Sequence, residues 1–364
     1  MFFFKKYKFA LILVATIAVV GFFAHNFSLV DPGKLAQELR SFCNDPDKLS
    51  KNQTKEQCYY QQFEKVAKKN GHEYAFETLG LLQKLDTDAQ GCHLIAHGIG
   101  TGTYEHNSSD WQGLINNINS GCSYGAMHGI LEKYIESLPD KKLTKEIMPN
   151  LCGPDPRADC NHIIGHLALV ETKGDVEEAL PLCNVFEDKK QKEFCLTGVF
   201  MEYQTALNLI EHGYAPRLWL NWPARVPELE KMCRAQTGEN AIACWKEIVH
   251  AALVKFHDDP KKIFDFCNSA QVAEGATECK YHAIGIMVVG KRFDFDNLKT
   301  MCSIPQKEAN FKGECYVRLA SSTLSTLPDE KDKVAAFCRG LDEKYQSGCL
   351  YQVFGVNRQV RTND

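Results

Sequence analysis

The sequence predicts an all-α fold: an α/α solenoid of about nine disulfide-stapled helical hairpins over residues 35–360, behind one N-terminal hydrophobic segment. Three observations predict it. Cysteines that open apolar stretches recur as Cys58, Cys92, Cys122, Cys160, Cys195, Cys244, Cys279, Cys315 and Cys349, at spacings of 34, 30, 38, 35, 49, 35, 36 and 34 residues. A period of that size holds one helical hairpin, which buries its apolar face by stacking on its neighbours. Ahead of seven of these cysteines stands another, each preceded by a large apolar residue: Phe42-Cys43, Leu151-Cys152, Leu182-Cys183, Met232-Cys233, Phe266-Cys267, Met301-Cys302 and Phe337-Cys338. The stretch 259–291, DPKKIFDFCNSAQVAEGATECKYHAIGIMVVGK, contains the whole unit. Asp259 caps a first helix, Pro260 sits in its first turn, and Cys267 stands near its end. After a polar loop Cys279 opens a second helix, apolar round most of its circumference and so expected to be the buried partner.

Taken in order, the chain begins with MFFFKKYK, which is basic, followed by an apolar run over residues 9–24. Residues 1–25 read as an uncleaved signal anchor held by Lys5, Lys6 and Lys8, with a cleaved signal peptide and secretion as the alternative. Residues 26–34 are a tether. The first hairpin runs through Cys43 and Cys58 to Gly71, a helix stop. The outer helices of the second and third repeats, HEYAFETLGLLQKL and DWQGLINNINSG, lack a cysteine, so Cys92 and Cys122 are left over and are expected to pair with each other across the repeat boundary. Repeats four and five read as regular. The 49-residue spacing then marks an insertion at 211–227, EHGYAPRLWLNWPARVP, whose three prolines argue against a helix interior. Trp219 and Trp222 on this loop suggest a binding element, or a segment folded down over the groove. Repeats six to nine run regularly to residue 360.

Sixteen cysteines with regular spacing and no CxxC favour disulfides over zinc thiolates, in the pairs Cys43–Cys58, Cys92–Cys122, Cys152–Cys160, Cys183–Cys195, Cys233–Cys244, Cys267–Cys279, Cys302–Cys315 and Cys338–Cys349. The compartment they imply is the periplasm or the extracellular space. With a formal charge of −4 and a pI near 6.3 the chain has no electrostatic footprint for nucleic acid.

Histidines carry the candidate chemistry. His93 and His97, then His128, then His162 and His166 fall on three successive inner helices. The two pairs are spaced i, i+4 and so share a helix face, and glycines at 98, 100, 102, 125, 129 and 165 keep side chains away from them. The expected site is a metal centre for zinc, copper or iron with His97, His128 and His166 at its core and His93 and His162 as further ligands or supporting partners. The competing reading is half-buried histidines hydrogen-bonded between helices. Glu105, Glu132, Glu171 and Glu202 lie within reach as ligands or bases, or as part of a solvated face. No GxSxG, SxxK, Walker or Rossmann motif occurs.

By its period and its apolar-Cys…Cys-helix unit, the chain from about Leu35 onward resembles tetratricopeptide-like α/α repeat proteins, above all their secreted, cysteine-rich branch. The resemblance implies a rigid scaffold that binds protein or peptide on its concave face. The function expected is therefore that of an extracytoplasmic, membrane-anchored binding scaffold with a histidine metal site; a metalloenzyme using the same histidines is the alternative.

Overall fold

The computed structural model of the chain describes residues 30–355 except 50–53, 90–91, 119–120, 154–157, 212, 291–293, 309 and 327–329. The expected N-terminal hydrophobic segment, residues 1–25, lies outside the described residues. Among the described residues the regular structure is helical, without a strand, and no helix is long and apolar enough to cross a membrane. The chain divides into two units, Met1–Lys142 and Leu143–Asp364.

The first unit holds α1 (Pro32–Cys43), α2 (Lys55–Asn70), α3 (His72–Leu85), α4 (His93–His106), α5 (Trp111–Asn117) and α6 (Gly125–Ser137). Local chemistry sets the boundaries. Asp31 caps α1 ahead of Pro32, Thr54 and Gln57 form a reciprocal capping box at α2, and Gly71 turns the chain into α3 at φ 84°, a conformation that disfavours a side chain. Helix α4 packs between α2 and α6, and α1 packs on α3. Glycines bring the inner helices into backbone contact. A methyl group on Gly98 or Gly102 would overlap the Tyr60 or Glu64 carbonyl of α2, and one on Gly100 would overlap the Ala126 carbonyl of α6. Tyr59, Phe63, Leu79, Leu82, Ile95 and Ile99 fill the core beside this seam. A polar strut closes its edge: Asp86, after α3, accepts from Lys55 Nζ at 2.6 Å, Tyr59 Oη at 2.7 Å and the Asp88 amide at 3.0 Å.

The second unit begins with α7 (Ala158–Glu171), α8 (Val176–Ala179), α9 (Lys189–Thr205), α10 (Leu207–Glu211), α11 (Trp222–Ala235), α12 (Gly238–Glu247) and α13 (Val249–Phe256). It continues with α14 (Pro260–Cys267), α15 (Ala273–Gly290), α16 (Phe295–Cys302), α17 (Phe311–Thr326), α18 (Lys331–Arg339) and α19 (Glu343–Phe354). The cysteine-bearing helices α7, α9, α12, α15, α17 and α19 pack each on the next in chain order. Trp245, Phe200, Phe264 and Tyr316 are fully buried among them. Lys280 is also fully buried, its ammonium bonded to Asn268 at 3.0 Å, Gln306 at 3.2 Å and the Glu308 carboxylate.

All eight expected disulfides are present, with Cα–Cα distances between 5.2 and 5.8 Å, and Cys92–Cys122 spans α4 and the turn before α6. Bridges at this density suggest an extracellular or secreted protein.

Three features differ from the sequence expectation. Outside α4 and α6, which follow Cys92 and Cys122, the cysteine-bearing helices start before their cysteines: α9 starts at Lys189, where Asp188 supplies the cap, and α15 at Ala273, so Cys195 and Cys279 lie inside helices. The segments ahead of Cys152 and Cys183, expected as outer helices, are not regular helices, for Pro149 and Pro181 remove amide donors and leave 3-10 turns at Met148–Asn150 and Leu180–Val185. The insertion is also more helical than its prolines suggest. Arg217–Leu220 is a 3-10 turn, and Trp222 opens α11 with Pro223 in its first turn and Pro227 inside it. Asn221 caps that helix, and buried Arg225 holds it down by donating to the Tyr203 and Gln204 carbonyls, both at 3.0 Å.

Candidate metal centres

Among the described residues two groups of side chains bring together enough nitrogen and oxygen donors to hold a metal ion, one in each unit. The first is His93, His97 and His128. One helical turn separates His93 from His97 on α4, and the glycine seam brings α6 close enough for His128 to face both. The three rings lie 4.9, 5.1 and 4.9 Å apart between centroids, and one potential ligand atom from each falls within 4.8 Å of the others. Two ligands of a tetrahedral ion bonded at about 2.05 Å sit about 3.4 Å apart, so modest ring rotation closes the group. His97 and His128 are buried and His93 is half-buried, which leaves an approach from one side.

A hydrogen bond orients one of these rings, and a carboxylate stands near a second. His93 Nδ1 lies 3.1 Å from the Cys122 carbonyl, which can only accept, so Nδ1 carries the proton and the neutral ring keeps its lone pair on Nε2. That carbonyl is itself fixed by the Cys92–Cys122 bridge. His97 Nδ1 lies 3.5 Å from Glu132 Oε2 on α6. A carbonyl or carboxylate behind an imidazole is the usual support for a metal-binding histidine, because it fixes the tautomer and the ring plane.

His162 and His166 stand on α7 in the second unit and reach across to α9. His162 Nδ1 meets Thr197 Oγ1 at 2.9 Å and its Nε2 meets Met201 Sδ at 3.1 Å. His166 Nδ1 meets Glu202 Oε2 at 2.9 Å, and Glu202 also accepts from Asn208 at 2.9 Å and from the Leu209 amide at 3.0 Å. Of the five histidines singled out, three thus converge on one another in the first unit, and two join α7 to α9 in the second. Of the four carboxylates near them in sequence, Glu132 and Glu202 do sit on histidines. Glu105 pairs with Lys68 and Lys133, at 2.9 and 3.4 Å, and Glu171 accepts the Leu143 amide at 3.1 Å.

The second group, Glu247, His250 and His282, was not anticipated from the sequence. The signal was there: His250 stands six residues after Cys244, as His128 and His166 stand six after theirs, and Glu247 lies one turn before it. Desolvation pushes the Glu247 carboxyl up to about 8 and the His250 imidazole down to about 4. Desolvation, then repulsion between the protonated forms of His282 and His250 and the nearby Lys246 ammonium, hold His282 well below its ordinary value. The group is therefore uncharged near neutral pH.

Trp219 and Trp222 are half-buried. The Arg225 guanidinium lies 4.0 Å from the Trp219 ring centroid, and Trp222 Nε1 donates to the Thr205 carbonyl at 3.4 Å. The insertion is folded down on its own unit. Set against known protein families, characterised proteins and solved structures, the chain matches none.

Proposed function

We propose that the chain is an extracytoplasmic helical-repeat scaffold, a solenoid akin to the tetratricopeptide-like repeats, that carries a divalent transition metal on His93, His97 and His128. The observation that supports this most is the convergence of three imidazoles, one of them oriented through Nδ1 by the Cys122 carbonyl and a second with the Glu132 carboxylate 3.5 Å from its Nδ1. Three imidazole nitrogens suit zinc, copper or iron. A metal there would join the inner helices of consecutive hairpins. The concave face of the solenoid would take a protein or peptide, and residues 9–24 would anchor it to a membrane.

A metalloenzyme is the second reading. It is favoured by His93 being half-buried, since three protein ligands with one side open leave a coordination position for substrate. Metal analysis of the tag-free chain, purified without chelator, tests both. His97→Ala is expected to weaken binding at this site by at least about 100-fold, the upper range seen when even a supporting partner is lost. Unchanged metal content and affinity in His97→Ala and His128→Ala would remove the site from the function.

A further inference from the structure

The geometry points to a metal site in the second unit, in which Glu247, His250 and His282 bind a divalent transition-metal ion of the zinc class and leave one coordination position open to solvent. Its residues are distinct from those of the first unit and it does not depend on them.

Glu247 ends α12 and His250 lies in the first turn of α13, three residues on, so both side chains project from one face of an almost continuous helix. The single interruption is Ile248, where the Ala251 amide bonds three residues back, to the Ile248 carbonyl at 3.2 Å. Such tightened turns inside helices recur at functional positions. His282 comes from α15, the inner helix of the next hairpin, which packs against both α12 and α13.

The donor atoms face one another. His250 Nε2 and His282 Nε2 are 3.0 Å apart, and Glu247 Oε2 is 4.0 Å from His282 Nε2. One ligand atom from each residue lies within 4.8 Å of the others. Tetrahedral ligands at about 2.05 Å would stand about 3.4 Å apart, so the imidazoles need to part slightly and the carboxyl to move in slightly.

The carboxyl group is the independent observation. Glu247 is only 3% exposed, yet among the described residues its Oε2 has no hydrogen-bond partner. A buried oxygen without a partner is costly in a protein core, and simple packing would favour an apolar residue here. A cation between the carboxylate and the two imidazoles would satisfy it. Two nitrogens and one carboxylate oxygen form the donor set of many zinc sites with an open fourth position, and the half-exposed rings of His250 and His282 give an ion its way in.

The test uses the tag-free full chain with its disulfides intact, stripped with chelator, dialysed, and titrated with Zn(II) and with Co(II), whose d–d absorption reports tetrahedral coordination. His282→Ala and Glu247→Gln are each expected to weaken binding of one ion by at least about 100-fold, while His97→Ala leaves that ion's binding intact. Glu247→Gln keeps the side-chain volume and is judged alone if His282→Ala does not fold. Loss of the Zn(II)-induced rise in Tm should accompany the loss of binding. Uptake of a single ion that His282→Ala abolishes and His97→Ala spares would support this site and reject the one in the first unit. The inference is overturned if the wild-type chain binds no ion, or if Glu247→Gln and His282→Ala leave the titration unchanged, for then the three side chains are only packed together.

Discussion

The two candidate centres sit on helix pairs built in opposite ways. In the first unit α4 meets α2 and α6 through glycines, backbone against backbone, and the three histidines are set by that close approach. In the second, α12 and α13 meet α15 through side chains: Trp245 is fully buried, and Gly275 has only ordinary contacts with it, at 3.5 Å. The lesson is about tolerance. A glycine seam fixes helix separation without side-chain freedom, so it orients its histidines firmly and accepts no change; a side-chain interface can repack by small rotations, and its carboxyl oxygen can remain without a hydrogen bond.

Three comparisons bear on that contrast. The largest effect should come from the bridge behind the first centre. In the chain-entropy model Cys92→Ser with Cys122→Ser, which opens a separation of 30, costs about 3.6 kcal/mol, whereas Cys267→Ser with Cys279→Ser, at a separation of 12, costs about 2.8 kcal/mol. Urea unfolding of both variants measures the difference. Equal losses of metal affinity in the two would break the link between the Cys122 carbonyl and the His93 ring.

Gly100→Ala comes next. Its methyl group meets the Ala126 carbonyl, and the expected loss is about 3 kcal/mol, at the upper end for overpacking. The matching Gly275→Ala should be neutral or stabilising by up to about 1 kcal/mol, because alanine favours helix and the space exists. Similar denaturation midpoints for the two variants would show that the seam is no tighter than the other interface.

The smallest of the expected losses is acid sensitivity at the seam's edge. Burial alone would raise Asp86, but the Lys55 ammonium, the Tyr59 hydroxyl and the Asp88 amide outweigh it and bring it down to about 2 from an ordinary 3.8. Because the folded value is the lower one, this stabilisation is complete above about pH 5, fades as the pH falls, and is gone below about pH 2. It amounts to about 2 kcal/mol. Hydrogen exchange of the α2 and α3 amides as a function of pH should show that acid limb in the wild type and a flattened one in Asp86→Asn.

Much of this was legible because covalent bonds and periodicity carry it. The spacing of the cysteines located every bridge, including Cys92–Cys122, and the apolar residues after them located the inner helices. What was not legible depends on which helices touch. The count from the opening cysteine grouped His97, His128 and His166, but contact is decided by glycine placement, which gave His93 to the first group instead. His250 and His282 were overlooked because each stands alone on its helix, without an i, i+4 partner, and a pair split between hairpins leaves no local pattern. Pro149 and Pro181 break the segments ahead of Cys152 and Cys183 into 3-10 turns, whereas Pro227 is accommodated inside a helix, because the Arg225 bonds that hold that helix are long-range and leave no local pattern.

The bridges have one more property in common: each joins two cysteines that are consecutive in the chain, with sequence separations from 8 to 30. For a polypeptide threaded N-terminus first into an oxidising compartment, the next thiol to emerge after each odd-numbered cysteine is its native partner. Pairing in order of arrival then yields the native set directly, and exchange through mixed disulfides is needed only where a bond closes late.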